Sequence, residues 1–377
     1  MPTSPAANID DIIEPIVSIV GDKLRGEEQA AVEKFVRQYY AGTAPEDLAD
    51  SEVMDLYGAA LAHWSFARQR MPGEPKIRVY NPQVEEHGWQ STHTIVEIVT
   101  DDMPFLVDSV RMALNRQGLT VHLLIHPVMR LRRDDSGRAI GPVPSGEAEP
   151  EASTEAVMHI EVDRQTEKEL IEETVVAIQS VLGDVRAAVS DWKAMREKLA
   201  EILDELENSP PRLDKDEIKE AREFLEWLDG NHFTYLGYRE YELDSRNGED
   251  VLATIPDSGL GLLRNSKGGK ESKSFSSLPP EVRRLAREPK LLIITKGNSR
   301  SSVHRPGYLD YIGVKRFNDK GEVVGERRFI GLYTSAAYNR SPREIPLLSD
   351  RVRRIIARAG YPENSHAGKA LMNILEN

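Results

Sequence analysis

The side chains best suited to chemistry in this chain are histidines and carboxylates at strand spacing. His93 and Glu97 sit in the run STHTIVEIVTD, His159 and Glu161 in TEAVMHIEVD, and His122 and His126 alternate with Val121, Leu123 and Ile125 in a third run. Alternate side chains of a strand share a face. If Val96, Ile98, Met158, Ile160 and Val162 meet helices, the opposite face gathers the six His and Glu side chains. A His/carboxylate set is zinc-binding chemistry, so His93, His122, His126 and His159 form an alternative metal set. The reading adopted is a polar sheet face, without metal, that packs on another subunit or on the N-terminal helices. The chain has no Cys, which excludes disulfides, thiolate ligands and Cys nucleophiles.

A second feature is the turn Asp101-Asp102-Met103-Pro104-Phe105. It follows an alternating run at 92–100 and precedes apolar residues at helical spacing (Phe105, Val107, Val110, Met112, Leu114), with Pro104 fit for a first helical turn and Gly118 for its end. Free N–H groups and the positive dipole end at such a turn suit a carboxylate. The β-rich run 119–131, the alternating run 156–162 and a helix from Glu167 complete a strand-helix-strand-strand-helix series. This order resembles an ACT domain, a β-α-β-β-α-β module that commonly binds amino acids, with the third strand between the other two. The resemblance implies Asp101, Asp102, Met103, Pro104 and Phe105 as an effector contact, with a plain structural turn as the other reading. ACT loops usually carry Gly where Phe105 stands.

Dinucleotide chemistry finds no support. The nearest match to G-x-G-x-x-G, Gly259-Leu-Gly261-Leu-Leu-Arg264, lacks its third Gly, and Gly368-Lys369-Ala370 lacks the rest of a P-loop. A net charge of -13 and pI near 5.3 argue against general nucleic-acid or membrane-surface binding. No apolar run approaches the roughly 20 residues of a membrane span, and the start MPTSPAANIDDIIEP lacks a signal-peptide layout. The expected compartment is the cytoplasm.

The elements that position these residues read as an α+β chain. Residues 1–75 form an N-terminal helical cap, with helical spacing at 9–24, 27–40 and 48–68 and Pro15 expected to trim the first helix. Residues 76–209 form the ACT-like module: a short strand at 76–82, a mobile loop at 134–155, and long helices over 165–207 interrupted at Gly183-Asp184. Residues 185–190 are open to strand or helix. Pro210-Pro211 marks the expected boundary. Residues 210–340 form an antiparallel sheet domain with period-two runs at 232–244, 250–257, 291–297, 301–305, 308–318 and 322–335, the last two joined by the hairpin NDKG. Ser341-Pro342-Arg343-Glu344 predicts a capping box opening a helical connector at 341–377.

The segments WLDGNHFTYLGYREYEL, SGLGLLR, KGNSRSSVHRPGYLDYIGVKRF and SDRVRRIIARAGYPENSHAGKALMNILE, with the turn around Asp102, Pro104 and Asp108, resemble the N-terminal part of the large NAD-specific glutamate dehydrogenases of bacteria, in order over roughly residues 30–376. The resemblance implies ACT-like modules, a PAS-type sheet domain at 230–335 and a connector to downstream domains. His232, Tyr235, Arg239 and His304 would then line a PAS pocket or its rim. It further implies a regulatory and assembly segment with no catalytic centre and no cofactor of its own, in a homo-oligomeric parent that uses NAD in a separate catalytic domain. Two other readings are a free-standing ACT/PAS amino-acid sensor and a purely structural oligomerisation arm.

Overall fold

The computed structural model describes residues 8–143, 149–150, 152–246, 249–264, 272–279, 283–362 and 365–376. The chain divides into two compact units, Met1–Val185 and Arg186–Asn377.

The first unit opens with helices α1 (Ile9–Lys23), α2 (Gly26–Tyr40), α3 (Pro45–Leu48) and α4 (Val53–Ala67). Asn8 caps α1 reciprocally with Asp11. The helix continues through Pro15 rather than being trimmed by it. Pro15 is exposed, while Ile13, Ile16, Val17 and Val20 are buried, so apolar burial outweighs the missing N–H. That stripe packs with Phe35, Tyr39, Tyr40 and Trp64 into one core with Val99, Met129, Leu131 and Val157 of the sheet.

The sheet comprises β1 (Lys76–Tyr80), β2 (Thr94–Asp101), β3 (Val121–Ile125), β4 (Val128–Arg133), β5 (Ala139–Val143) and β6 (Ser153–Val162). β6 is central. It pairs β2 along one edge, and along the other it pairs β3 at its C-terminal half and β4 at its N-terminal half. The run 119–131 is therefore a strand broken at His126-Pro127. The short helix α5 (Val84–His87) ends at Gly88, and α6 (Leu106–Arg116) follows β2. Helix α7 (Lys168–Ser190) runs through Gly183-Asp184 without interruption, and residues 185–190 are helical. An interior Gly costs about 1 kcal/mol, which burial of Ile178, Val181, Leu182 and Val185 offsets. No fourth strand follows that helix; β1 pairs the free edge of β2 instead.

The loop expected at 134–155 is corrected in its described part. Asp134 accepts from the Ser136 and Arg138 N–H groups, and Gly137 turns the chain at φ 79°, so β4 and β5 pair. Residues 144–148 and 151 lie outside the described residues.

In the second unit, α8 (Trp192–Asn208) and α9 (Lys215–Trp227) cover one face of a sheet of β7 (Phe233–Arg246), β8 (Glu249–Thr254), β9 (Leu260–Gly261), β10 (Leu292–Arg300), β11 (Tyr308–Phe317) and β12 (Val323–Tyr333). The strand order is β10-β11-β12-β7-β8, with every neighbouring pair antiparallel. The β11–β12 turn is the expected hairpin: Asn318 Oδ1 accepts from the Lys320 and Glu322 N–H groups, and Gly321 has φ 81°.

Three expectations fail here. Pro210-Pro211 lies between α8 and α9, whose apolar faces share one core, so the division falls at Val185/Arg186 instead. The expected strand at 301–305 is absent: residues 302–307 form bends, with Ser301 Oγ donating to Val303 O. Ser341 Oγ accepts from the Arg343 N–H in a local turn, and the next helix starts at Leu348.

Candidate functional site

Each residue of the turn after β2 has a definite place. The Asp101 carboxylate accepts from Arg70 Nη2 at 2.9 Å and from the Gly73 N–H at 3.1 Å. The Asp102 N–H donates to Thr154 O at 3.0 Å, while the residue itself is exposed. Met103 is half-buried, and Pro104 is exposed. Phe105, half-buried, has φ 73°, the left-handed region that Gly adopts freely, and its carbonyl accepts the Ser109 N–H at 3.0 Å. Helix α6 begins one residue later than Phe105, so Pro104 stands just outside the first turn. Beside the turn, burial pushes the His126 imidazole below its ordinary pKa, partly opposed by the Asp102 charge.

Arg70 ties this turn to the sheet. Its Nε donates to Glu155 at 2.9 Å, and Arg133 reaches the same carboxylate at 2.6 and 2.9 Å, with Ser153 Oγ donating at 2.7 Å. Glu155 is fully buried. Burial alone would raise its pKa; the hydrogen bonds from Arg133, Arg70 and Ser153 outweigh that and hold it below the ordinary value. Sequence reasoning missed this network because its members lie far apart along the chain.

The His/Glu face is covered by the N-terminal helices, and its residues divide into separate groups. Glu97 and His159 are direct cross-strand partners and fully buried. The His93 and His122 rings are tilted by 31° with centroids 4.5 Å apart; they pair with Glu161 at 2.8 Å and Asp163 at 2.7 Å at a partly exposed edge. The His122 imidazole and the Thr120 N–H hold the Asp163 carboxyl down at about 2. His126 lies near Asp102. The set His93, His122, His126 and His159 therefore does not converge on one point. His63 of α4 joins Glu97 and His159 instead, and nothing in its own segment signals that the helix lies over the sheet.

In the second unit the open face of the sheet around Arg328, the β10 edge and Asp216, Glu217, Glu220 and Ala221 of α9 together line a cavity of about 1110 Å³. Leu243, Leu252, Phe275 and Ile293 give it apolar walls. Its polar floor is buried Arg328, held between Tyr241 and Tyr311 at 4.1 and 4.6 Å from the ring centroids, bonded to Glu326 at 3.0 Å and to Ser272 at 2.8 Å. None of His232, Tyr235, Arg239 and His304 lines this cavity. His232 stacks on Trp227 and bonds its carbonyl; Tyr235 is buried in the α8–α9 core. Arg239 holds the Leu263 carbonyl, and His304 sits at φ 75°. The phase of β7 explains the miss: Tyr235 and Tyr241 take opposite faces because the β7–β12 register shifts between Ile330 and Gly331. The glycines of Gly259-Leu-Gly261 serve packing, since a Cβ on Gly261 would stand 2.3 Å from Leu236 O.

Comparison with known proteins now bears on these two units. Residues 35–177 match the glutamate dehydrogenase ACT1 domain, and residues 345–377 match glutamate dehydrogenase helical motif 1. The chain belongs to the large NAD-specific glutamate dehydrogenase family. It is 39% identical over 367 residues to the NAD-specific glutamate dehydrogenase of Halomonas elongata, which covers 97% of this chain and 23% of that protein. With the Pseudomonas aeruginosa protein of the same name it is 36% identical, over 98% of this chain and 23% of that protein. With that of Mycobacterium tuberculosis it is 28% identical, over 84% and 18%. The chain thus spans about 23% of the length of the first two relatives. Among the described residues no helix is long and apolar enough to cross a membrane.

Proposed function

We propose that this chain is a regulatory and assembly segment of an NAD-dependent glutamate dehydrogenase. The parent enzyme interconverts L-glutamate, NAD and water with 2-oxoglutarate, ammonium and NADH, in the cytoplasm and as a homo-oligomer, and its catalytic domain binds NAD outside these 377 residues. The observation that carries the reading is the presence of an ACT1 domain and helical motif 1 in one chain that spans 23% of its dehydrogenase relatives. Within it the turn Asp101–Phe105 is the effector contact: α6 opens there, and exposed Asp102 can meet a ligand ammonium while N–H groups meet its carboxylate. Asp101 is already engaged by Arg70 and Gly73, which leaves Asp102 for the ligand. The purified 377-residue chain is expected to show no glutamate-dependent NAD reduction. Measurable turnover would overturn the reading.

A further inference from the structure

The floor between α4 and the first sheet holds a buried carboxylate beside two histidines, each with one ring nitrogen that hydrogen bonding does not account for. His63, Glu97 and His159 are each at most 1% exposed, and one donor atom from each lies within 4.8 Å of the other two. His63 Nε2 and His159 Nδ1 make no hydrogen bond of ordinary geometry, although the Ile98 backbone lies beside the His63 ring. Leaving a buried polar atom unpaired costs about 1–3 kcal/mol, and here two such atoms lie beside one carboxylate.

We propose that His63, Glu97 and His159 bind a first-row divalent cation, with zinc as the natural occupant. Two imidazoles and a carboxylate are established zinc donors. Bonds of about 2.0–2.1 Å to a tetrahedral ion set donor atoms roughly 3.4 Å apart, so no pair needs to close by more than about 1.4 Å. The outer atoms are already arranged. His63 Nδ1 meets Tyr39 Oη at 3.0 Å, and His159 Nε2 meets Glu161 at 3.5 Å. A proton on each outer nitrogen directs the lone pair of each inner nitrogen into the site. Glu97 accepts from Arg78 and, at 3.1 Å, from Tyr80, and these bonds leave one oxygen a lone pair for a metal. The ion would join α4 of the helical cap to β2 and β6 of the ACT-like sheet.

The test uses the 377-residue chain, stripped with chelator and titrated with Zn2+ and Co2+ alone. One equivalent is expected to bind, to raise Tm, and, for Co2+, to give the visible absorption of a four-coordinate site. His63→Gln and His159→Gln should abolish that band, while His122→Gln, at the exposed edge, should keep it. Tyr39→Phe, which removes only the outer partner of His63, should weaken binding about 10- to 100-fold. Because a Gln variant could fail to fold, the wild-type chain provides an independent readout. Absence of both a Co2+ band and a Zn2+-dependent Tm rise in wild type overturns the proposal, and so does a band that survives in a folded His159→Gln protein.

Discussion

Phe105 holds a left-handed backbone conformation at φ 73°, which disfavours any residue with a Cβ by roughly 1–2 kcal/mol. Phe105→Gly and Phe105→Ala both remove the half-buried ring, but only Gly removes the strain. Gly is therefore expected to be more stable than Ala by about 1 kcal/mol in urea unfolding; equal or reversed midpoints would show that the conformation is not maintained. Glu155 makes a larger difference. Its removal leaves Arg133 with a buried, unmatched charge and Arg70 with Asp101 alone, so Glu155→Gln should cost about 3–5 kcal/mol. Its folded pKa lies below its ordinary 4.5, so the stability it confers is present above that value and is lost as pH falls through the folded pKa. Acid titration of unfolding should thus be shallower in Glu155→Gln below about pH 4.5, and an unchanged slope would remove Glu155 from the account. At this scale the sequence was only partly legible. Alternation identified Glu97 and His159 as face-mates, but His63 reaches them, and Arg70 and Arg133 reach Glu155, from segments whose docking no local pattern encodes.

The elements themselves were read more fully. Period-two runs became β2, β6, β7, β11 and β12, and the Asn318–Gly321 turn joined its strands as expected, because side-chain alternation and turn chemistry are local properties. Failures occurred where burial overruled a local breaker. Gly183 and Pro15 both lie inside helices whose apolar stripes are buried. The hairpin β4–β5 was hidden by a Gly- and Pro-rich composition, although Asp134 and Gly137 supply its turn. Pro15 makes this competition measurable. An interior Pro removes one helical hydrogen bond and costs about 3 kcal/mol, offset by up to about 1 kcal/mol through the stiffer unfolded chain. Pro15→Ala, at an exposed position, should therefore stabilise the first unit by about 2 kcal/mol. A Tm that stays the same or falls would mean that α1 is bent to suit Pro15 in its packing.

Across the whole molecule, the family relation was legible from motif order, and the antiparallel sheet of the second unit was legible from the period-two runs, though not its strand order. Which face of the second sheet encloses space was not legible, since it depends on the β7 register shift and on where α8 and α9 pack. The molecule consequently offers two places for a small ligand: the turn Asp101–Phe105 in one unit and the cavity over Arg328 in the other. Their chemistry differs. The turn joins an exposed carboxylate to helix N–H groups and can meet both charges of an amino acid. In the cavity, the Arg328 cation is already matched by Glu326 and stacked between two tyrosines, Lys296 is matched by Asp310 and Arg354 by Glu220, and the rest of the wall mixes apolar and charged side chains. An amino acid is therefore expected at the turn. Calorimetric titration with glutamate, aspartate and other amino acids should find binding weakened roughly five- to a hundredfold by Asp102→Asn, since a charge-assisted contact is worth about 1–3 kcal/mol. Phe105→Gly should tighten binding, because it clears the ring beside the N–H groups. Ile293→Trp, which fills the cavity, should leave affinity unchanged. If Ile293→Trp abolishes binding while Asp102→Asn and Phe105→Gly do not alter it, the ligand belongs to the second unit and the turn serves only to start α6.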